Sequence, residues 1–214
     1  MRMIGLLGGT FNPIHFGHLR MAQEMAEALQ LNEVRFIPSA NPPHRTSPTV
    51  SAKHRAQMVK LAIEDNPLFQ LDTRELSRTG ASYTIDTLLS LREELEAETR
   101  LVLFMGTDAF RQLETWHRWQ ELLDHCHIAL VQRPHTIREA LSKTLETYLS
   151  AHYSEQTNDL QDVPSGCITM QPMTALDISS TAIRQRMQQG LSLRYLMPDN
   201  VIHFLQNQAL YNNP

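Results

Sequence analysis

Short apolar runs and longer stretches of helical period take turns along this chain. It opens with an apolar run, Met3 to Leu7, that breaks at Gly8-Gly9 and passes through Asn12-Pro13 into a helical pattern from Gly17 to Gln30. The same sequence of events recurs. Val34 to Ile37 reads as a strand, Ser51 to Glu64 as a helix, Phe69 to Asp72 as a strand, Tyr83 to Leu95 as a helix and Leu101 to Met105 as a strand. Strands separated by helices of this length predict βαβ units. Leu101-Val102-Leu103-Phe104-Met105 is apolar throughout, as a parallel-sheet strand covered on both faces must be. The predicted fold class is α/β: a doubly wound parallel sheet, one domain over residues 1–214, with a small C-terminal helical extension.

Further along, the pattern predicts helices at Asp108 to Leu113 and Trp116 to Leu123, a strand at Ile128 to Val131, and a polar amphipathic helix over Thr136 to Ala151. Ser154 to Gly166 is a polar connector, expected to be the most mobile segment. A short strand near Ile168 to Met170 precedes helices at about Ser180 to Gln188 and Pro198 to Gln206. There is no repeat, low-complexity tract or clear domain linker.

Composition narrows the partners. With 19 Lys and Arg against 23 Asp and Glu the formal charge is -4, so no global positive field exists for a nucleic-acid backbone or an anionic membrane. Any phosphate must be caught locally. No stretch approaches the roughly 18 uninterrupted apolar residues of a membrane helix, and Met3 to Leu7 is too short for a signal peptide. A cytoplasmic location is the expectation. Cys126 and Cys167 form neither a close metal-ligand pair nor a disulfide framework. Ten histidines stand out, because histidine changes charge most readily near neutral pH.

Two of them sit in the first chemical constellation, Gly8-Gly9-Thr10-Phe11-Asn12-Pro13-Ile14-His15-Phe16-Gly17-His18. It follows the first strand directly, at the carboxyl edge where open parallel sheets bind ligands. Gly8 and Gly9 let backbone approach a ligand, and the helix start offers N–H groups and partial positive charge to an anion. His15 and His18, three apart, can face one phosphoryl group. The pattern is neither of the common dinucleotide or P-loop glycine motifs. A plainer reading makes the histidines caps of the first turn, but the strand placement and the paired glycines favour the anion site. Zinc lacks a local third ligand.

Near the other end, Ile178-Ser179-Ser180-Thr181-Ala182-Ile183-Arg184 begins a second helix. Its hydroxyls lie beside helix-start N–H groups, and Arg184 adds forked donors one turn on. Alone it would be an ordinary N-cap with a surface arginine. Two anion cradles in one chain suit a polyphosphate.

These segments resemble the HxGH (His15-Phe16-Gly17-His18) and ISSTxIR (Ile178 to Arg184) motifs of the nucleotidyltransferases, whose sheet is Rossmann-like. The chain is similar, over nearly its whole length, to the bacterial nicotinate-nucleotide adenylyltransferase family. Pro42-Pro43-His44, Ser82-Tyr83-Thr84-Ile85-Asp86-Thr87-Leu88 and Gly106-Thr107-Asp108 ahead of Trp116 carry the closer likeness. Arg45 departs from it where Lys is expected, and residues from about His135 to Gly166 match no family motif.

The resemblance implies adenylyl transfer from ATP to nicotinate mononucleotide, with Mg²⁺ bound mainly through the ATP phosphates and no protein metal ligands. It implies His15, His18 and Arg184 as catalytic residues. Gly8, Gly9, Thr10 and Phe11 would shape the ATP pocket together with Ile178 and Ser179, while Ser180, Thr181 and Arg184 would hold the β and γ phosphates and Gly106 and Asp108 would meet the ribose. His44, Arg45, Thr84, Trp116 and Arg133 are the candidates for the acceptor, Trp116 as a stacking face for the pyridine ring. Trp116 and Trp119 read equally well as core anchors. His125 and His127, flanking Cys126 as strand neighbours, are read as structural. Rival readings are a related adenylyltransferase using nicotinamide mononucleotide, phosphopantetheine or glycerol phosphate, a class I aminoacyl-tRNA synthetase fragment, and a non-catalytic nucleotide sensor. The synthetase is disfavoured by the short chain, the net negative charge and the lack of a lysine-rich second signature. Oligomeric state is not legible.

Overall fold

The computed structural model describes residues 2–41, 50–132, 141–174 and 176–211. In chain order the elements are β1 (Met3–Gly9), α1 (Phe16–Ala28), β2 (Glu33–Pro38), α2 (Ala52–Ile63), β3 (Phe69–Leu71), α3 (Thr84–Glu94), β4 (Arg100–Gly106), α4 (Thr107–Arg111), α5 (Leu122–His125), β5 (His127–Gln132), α6 (Lys143–His152), α7 (Asp159–Asp162), β6 (Ile168–Pro172), α8 (Ser180–Gln188) and α9 (Asp199–Asn207). The strands form a six-stranded sheet in the order β3-β2-β1-β4-β5-β6, every neighbour pairing in parallel.

The period of two in a strand sorts its side chains onto opposite faces, and the two cores follow that rule. Met3 and Leu7 of β1 and Val102 and Phe104 of β4 join Met25, Val59, Ile183, Val201 and Leu205 on one face. Ile4 and Leu6 of β1 and Leu101, Leu103 and Met105 of β4 join Leu88, Leu122 and Leu145 on the other. Helices α1, α2, α8 and α9 therefore cover one face and α3, α5 and α6 the other, the doubly wound arrangement that the sequence predicts. The C-terminal helices expected at about 180–207 supply core residues.

Three expectations are corrected. The segment from Trp116 to Leu123 is not one helix: Arg118 adopts a left-handed φ of 51° and separates a 3-10 turn at Leu113–Thr115 from another at Trp119–Glu121. His125 ends α5 while His127 starts β5, so they are not neighbours on one strand face. The connector 154–166 is fastened rather than loose. Leu160 of α7 is fully buried, the Ser154 amide donates to the Ile168 carbonyl at 2.8 Å, and Arg100 Nη2 donates to the Gln161 carbonyl at 2.9 Å. Helix α6 starts at Lys143, where the Ser142 hydroxyl caps it by accepting from the Leu145 amide at 3.2 Å. The expected start near Thr136 lies outside the described residues.

Candidate active site

The sheet order reverses direction between β1 and β4, the switch point at whose carboxyl end open α/β sheets hold ligands. Their ladder stops at the Leu6–Leu103 pair, although β1 runs on to Gly9 and β4 to Gly106. The unpaired ends open a crevice walled by Gly8 and Gly9 on one side and by Gly106 on the other. A Cβ at Gly8 or Gly106 would meet nothing within 4 Å, whereas one at Gly9 would sit 3.2 Å from the Phe11 ring.

The loop after β1 is held by its carbonyls. Gly9 O accepts from the Ser39 amide at 2.9 Å, Thr10 O from Arg55 Nη1 at 2.6 Å, Asn12 O from Arg184 Nη1 at 2.7 Å and Pro13 O from the Ser180 hydroxyl at 2.8 Å. The Gly9–Thr10 and Thr10–Phe11 peptides are trans, and a trans peptide aims its N–H opposite to its carbonyl. Since Gly9 O points toward β2, the Thr10 N–H points toward the β4 side, into the crevice. The Phe11 N–H likewise points away from α2. Phe11 has a left-handed φ of 47°, the kind of turn from which anion-binding nests of successive amides are built.

Residues more than 160 positions apart in sequence therefore meet here: Ser180 and Arg184 of α8 grip the first constellation directly. Ser179 caps α8 by accepting from the Ala182 amide at 3.2 Å, and Arg184 Nη2 also reaches Thr181 Oγ1 at 3.3 Å. The Ile178 carbonyl lies 3.5 Å from where a Gly17 Cβ would be, and the His15 ring 3.0 Å from it, so a side chain at Gly17 would press on the histidine.

His15 is the N-cap residue of α1 and is buried. Its ring lies 3.8 Å, centroid to centroid, from that of His18. The His15 amide donates to His18 Nδ1 at 3.3 Å, so the remaining proton of a neutral His18 is on Nε2, which is then a donor. Phe11, sequence-expected at the ATP pocket, turns its ring into the core at 2% exposure, meeting His18 edge-on at 5.2 Å. It fixes the histidine and offers a ligand only its backbone.

Across the crevice, Gly106 is the N-cap of α4 and Asp108 lies in its first turn, exposed and 2.8 Å from Arg111 Nη1. On the expected acceptor side, Thr84 opens α3 and Trp116 is half-buried against the second core. Tyr83 and His117 stack at 4.4 Å, which joins the segments of Thr84 and Trp116. The Ser82 hydroxyl accepts from the amides of Ala40 and Asn41 at 3.1 and 3.2 Å. Beneath it, Glu75 is buried and accepts from Thr87 at 2.7 Å; desolvation raises its carboxyl pKa against the opposing hydrogen bonds of Thr87 and Ser82. His44, Arg45 and Arg133 lie outside the described residues. Among the described residues no three His, Cys, Asp or Glu side chains converge as a metal-holding group, and no helix is long and apolar enough to cross a membrane.

Sequence reasoning missed Arg55, Tyr211 and His117. Arg55 is 1% exposed on α2, and burial lowers its pKa. Its place on the same stripe as Val59 and Ile63 was a readable signal: an arginine on an apolar stripe needs a buried partner. Tyr211, near the C-terminal end, donates its hydroxyl to Asn12 Oδ1. Its pKa is raised by burial, against the opposing charges of Arg184 and Arg55. No local pattern announces it.

The cytidylyltransferase-like family model matches residues 6–186. A probable nicotinate-nucleotide adenylyltransferase of Halorhodospira halophila is 44% identical over 214 residues, covering 100% of this chain and 97% of that protein. One of Pseudomonas fluorescens is 47% identical over 213 residues, covering 100% and 99%. Among solved structures, Plasmodium falciparum nicotinic acid mononucleotide adenylyltransferase complexed with NaAD superposes with a TM-score of 0.74 at 14% identity, covering 99% of this chain and 98% of that one; at that identity the likeness speaks for the fold. By the family-model match over residues 6–186 and by 44% and 47% identity to relatives over 100% of its length, this chain belongs to the nicotinate-nucleotide adenylyltransferase family, within the cytidylyltransferase-like nucleotidyltransferases.

Proposed function

We propose that this protein transfers AMP from ATP to nicotinate mononucleotide, giving nicotinate adenine dinucleotide and pyrophosphate, as a step of NAD biosynthesis. The observation that carries the reading is the junction of the two cradles: Ser180 and Arg184 hydrogen-bond the Asn12 and Pro13 carbonyls at the β1/β4 switch point. The full-length relatives bear the name of this activity. On this reading residues 1–214 work as one unit in the cytoplasm.

The acceptor phosphate attacks the α-phosphorus of ATP in line. A bond forms from its oxygen to that phosphorus, the bond to the β-phosphate oxygen breaks, and pyrophosphate leaves with the electron pair. The protein needs no nucleophile of its own, so its work is alignment and stabilisation of charge on the transferring group. His18 Nε2–H and the Thr10 and Phe11 amides donate to phosphate oxygens near the reacting centre, with His15 orienting His18. Ser180, Thr181 and Arg184 meet the β and γ phosphates, and Asp108 accepts from ribose hydroxyls. Trp116 offers a stacking face to the pyridine ring and Thr84 receives the nicotinate carboxylate, Arg45 and Arg133 serve the acceptor's phosphate or carboxylate, and His44 belongs to the same acceptor site. Mg²⁺, held mainly by ATP phosphate oxygens, would neutralise charge on the departing pyrophosphate.

The test is pyrophosphate release from ATP with nicotinate mononucleotide, nicotinamide mononucleotide, phosphopantetheine or glycerol phosphate. We expect the highest kcat/KM with nicotinate mononucleotide, and a fall of about 100-fold or more in His18→Ala with the fold intact. A clear preference for another acceptor overturns the reading, as does ATP binding without turnover of any of them.

A further inference from the structure

Arg55 is a buried cation that the reaction chemistry above does not use. Its guanidinium donates to four backbone carbonyls: Thr10 at 2.6 Å, Ser39 at 2.7 Å, Ala40 at 3.3 Å and Val50, through Nε, at 3.3 Å. Among the described residues no carboxylate pairs with it. A buried charge without a counter-ion is costly, and an apolar side chain of similar volume would pack the same stripe of α2. The feature that only a planar fork supplies is simultaneous contact with three separate pieces of backbone.

Those pieces have different tasks. Thr10 belongs to the loop that faces ATP. Ser39 and Ala40 follow β2 and are joined through Ser82 to the segment that starts α3, the expected acceptor side. Val50 leads into α2 itself. One guanidinium thus spans the two halves of the site.

We propose, resting on the adenylyl-transfer reading above, that Arg55 is a positioning residue: by tying the Gly9–Pro13 loop to Ser39-Ala40, it fixes the alignment of the ATP α-phosphorus with the acceptor phosphate. It touches neither substrate. Misplacing reactants by about 1 Å costs on the order of 100-fold in rate, so the tie acts on kcat more than on the binding of either substrate alone.

The experiment compares wild type with Arg55→Lys, which keeps the charge and the aliphatic stem but loses the fork. Circular dichroism and thermal melting give the folded fraction, and kcat and both KM values are measured per folded molecule. Hydrogen exchange is followed at the Ser39 amide, bonded to Gly9 O at 2.9 Å, and at the Asn41 amide, bonded to Ser82 Oγ at 3.2 Å. We expect a folded variant whose kcat is at least about 10-fold lower, with the KM for ATP within about 3-fold of wild type and exchange at these amides at least about 10-fold faster. A folded variant with kcat within about 3-fold of wild type overturns the proposal. So does a slower variant with unchanged exchange, and so does a chain that no longer folds, which would make Arg55 a folding requirement. A wild-type protein that releases no pyrophosphate with any acceptor defeats the parent reading instead.

Discussion

Acid should destabilise this protein through one buried histidine. His127 is fully buried at the start of β5. Its Nδ1 accepts from the Cys167 amide at 3.2 Å, and its Nε2 lies 3.1 Å from the Val163 carbonyl. Both ring nitrogens are therefore satisfied only in the neutral form with the proton on Nε2; a second proton would go on Nδ1 and confront an N–H. Burial, with the charges of Arg100 and Arg92 adding to it, lowers its pKa from 6.5 to about 4. The unfolded chain takes up this proton near pH 6.5 and the folded one only near pH 4. Between those values unfolding binds the extra proton, so stability falls with acid by up to about 1.4 kcal/mol per pH unit, about 3 kcal/mol in all. Above pH 6.5 and below about 4 this residue adds no slope.

His127→Asn removes the titration while leaving an acceptor for the Cys167 amide. At pH 8 it should cost about 1–3 kcal/mol for the lost volume and the unpaired Val163 carbonyl. Urea unfolding at a series of pH values, followed by the fluorescence of Trp116 and Trp119, gives both stability curves. Subtracting one from the other cancels the remaining titrating groups. The gap should close by about 3 kcal/mol between pH 6.5 and 4, leaving wild type no more stable than the variant at the acid end. A gap constant to within about 0.5 kcal/mol across the range would refute the assignment of acid sensitivity to His127.

Two glycines of β1 separate stability from ligand binding. A Cβ at Gly5 would lie 2.5 Å from Phe104 Cζ and 2.8 Å from Leu31 Cδ1, so Gly5→Ala should lower Tm by about 5 °C or more through overpacking. Gly8→Ala, with open space at its Cβ, should leave Tm unchanged and raise the KM for ATP; unchanged KM with lowered Tm would show that the space at Gly8 does not serve the nucleotide. Asp108→Asn should raise the KM for ATP by about 10-fold, one charge-assisted hydrogen bond being worth about 1.5 kcal/mol or more; an unchanged KM measured by initial rates removes it from the ribose.

Much of the sheet was legible because burial on both faces leaves no alternative to an apolar strand, as in Leu101 to Met105, and because helix-length gaps force parallel pairing. The two cradles were legible as helix starts with polar donors. Their contact was not, since nothing local in Ile178 to Arg184 refers to Asn12 or Pro13. The burial of Arg55 was legible in its place on the apolar stripe of α2, but its partners were not, because they are carbonyls, which carry no sequence signature. Connector 154–166 misled because its polarity reads as solvated, while Leu160, Gln161 and Ser154 tie it down by one apolar side chain and several backbone groups. The break at Arg118 was invisible because nothing in the residue type announces a left-handed arginine.

A common logic joins these hidden contacts. The loop from Gly9 to Pro13 is gripped at four carbonyls, two of them by guanidiniums, Arg55 and Arg184. A trans peptide whose oxygen is held by a donor has its N–H directed the other way. For the Thr10 and Phe11 peptides that other way is the crevice side and the side away from α2. On the proposed reading, a chain of net charge -4 would meet a polyanion here with the Arg55 charge behind the Thr10–Phe11 peptide and amide hydrogens in front. Such donors need no reorganisation when charge develops on a phosphoryl group. The same arrangement explains why the anchors are so distant in sequence. A turn of a few residues cannot hold its own carbonyls and still leave its amides outward, so α2, α8 and the residue after β2 hold them instead.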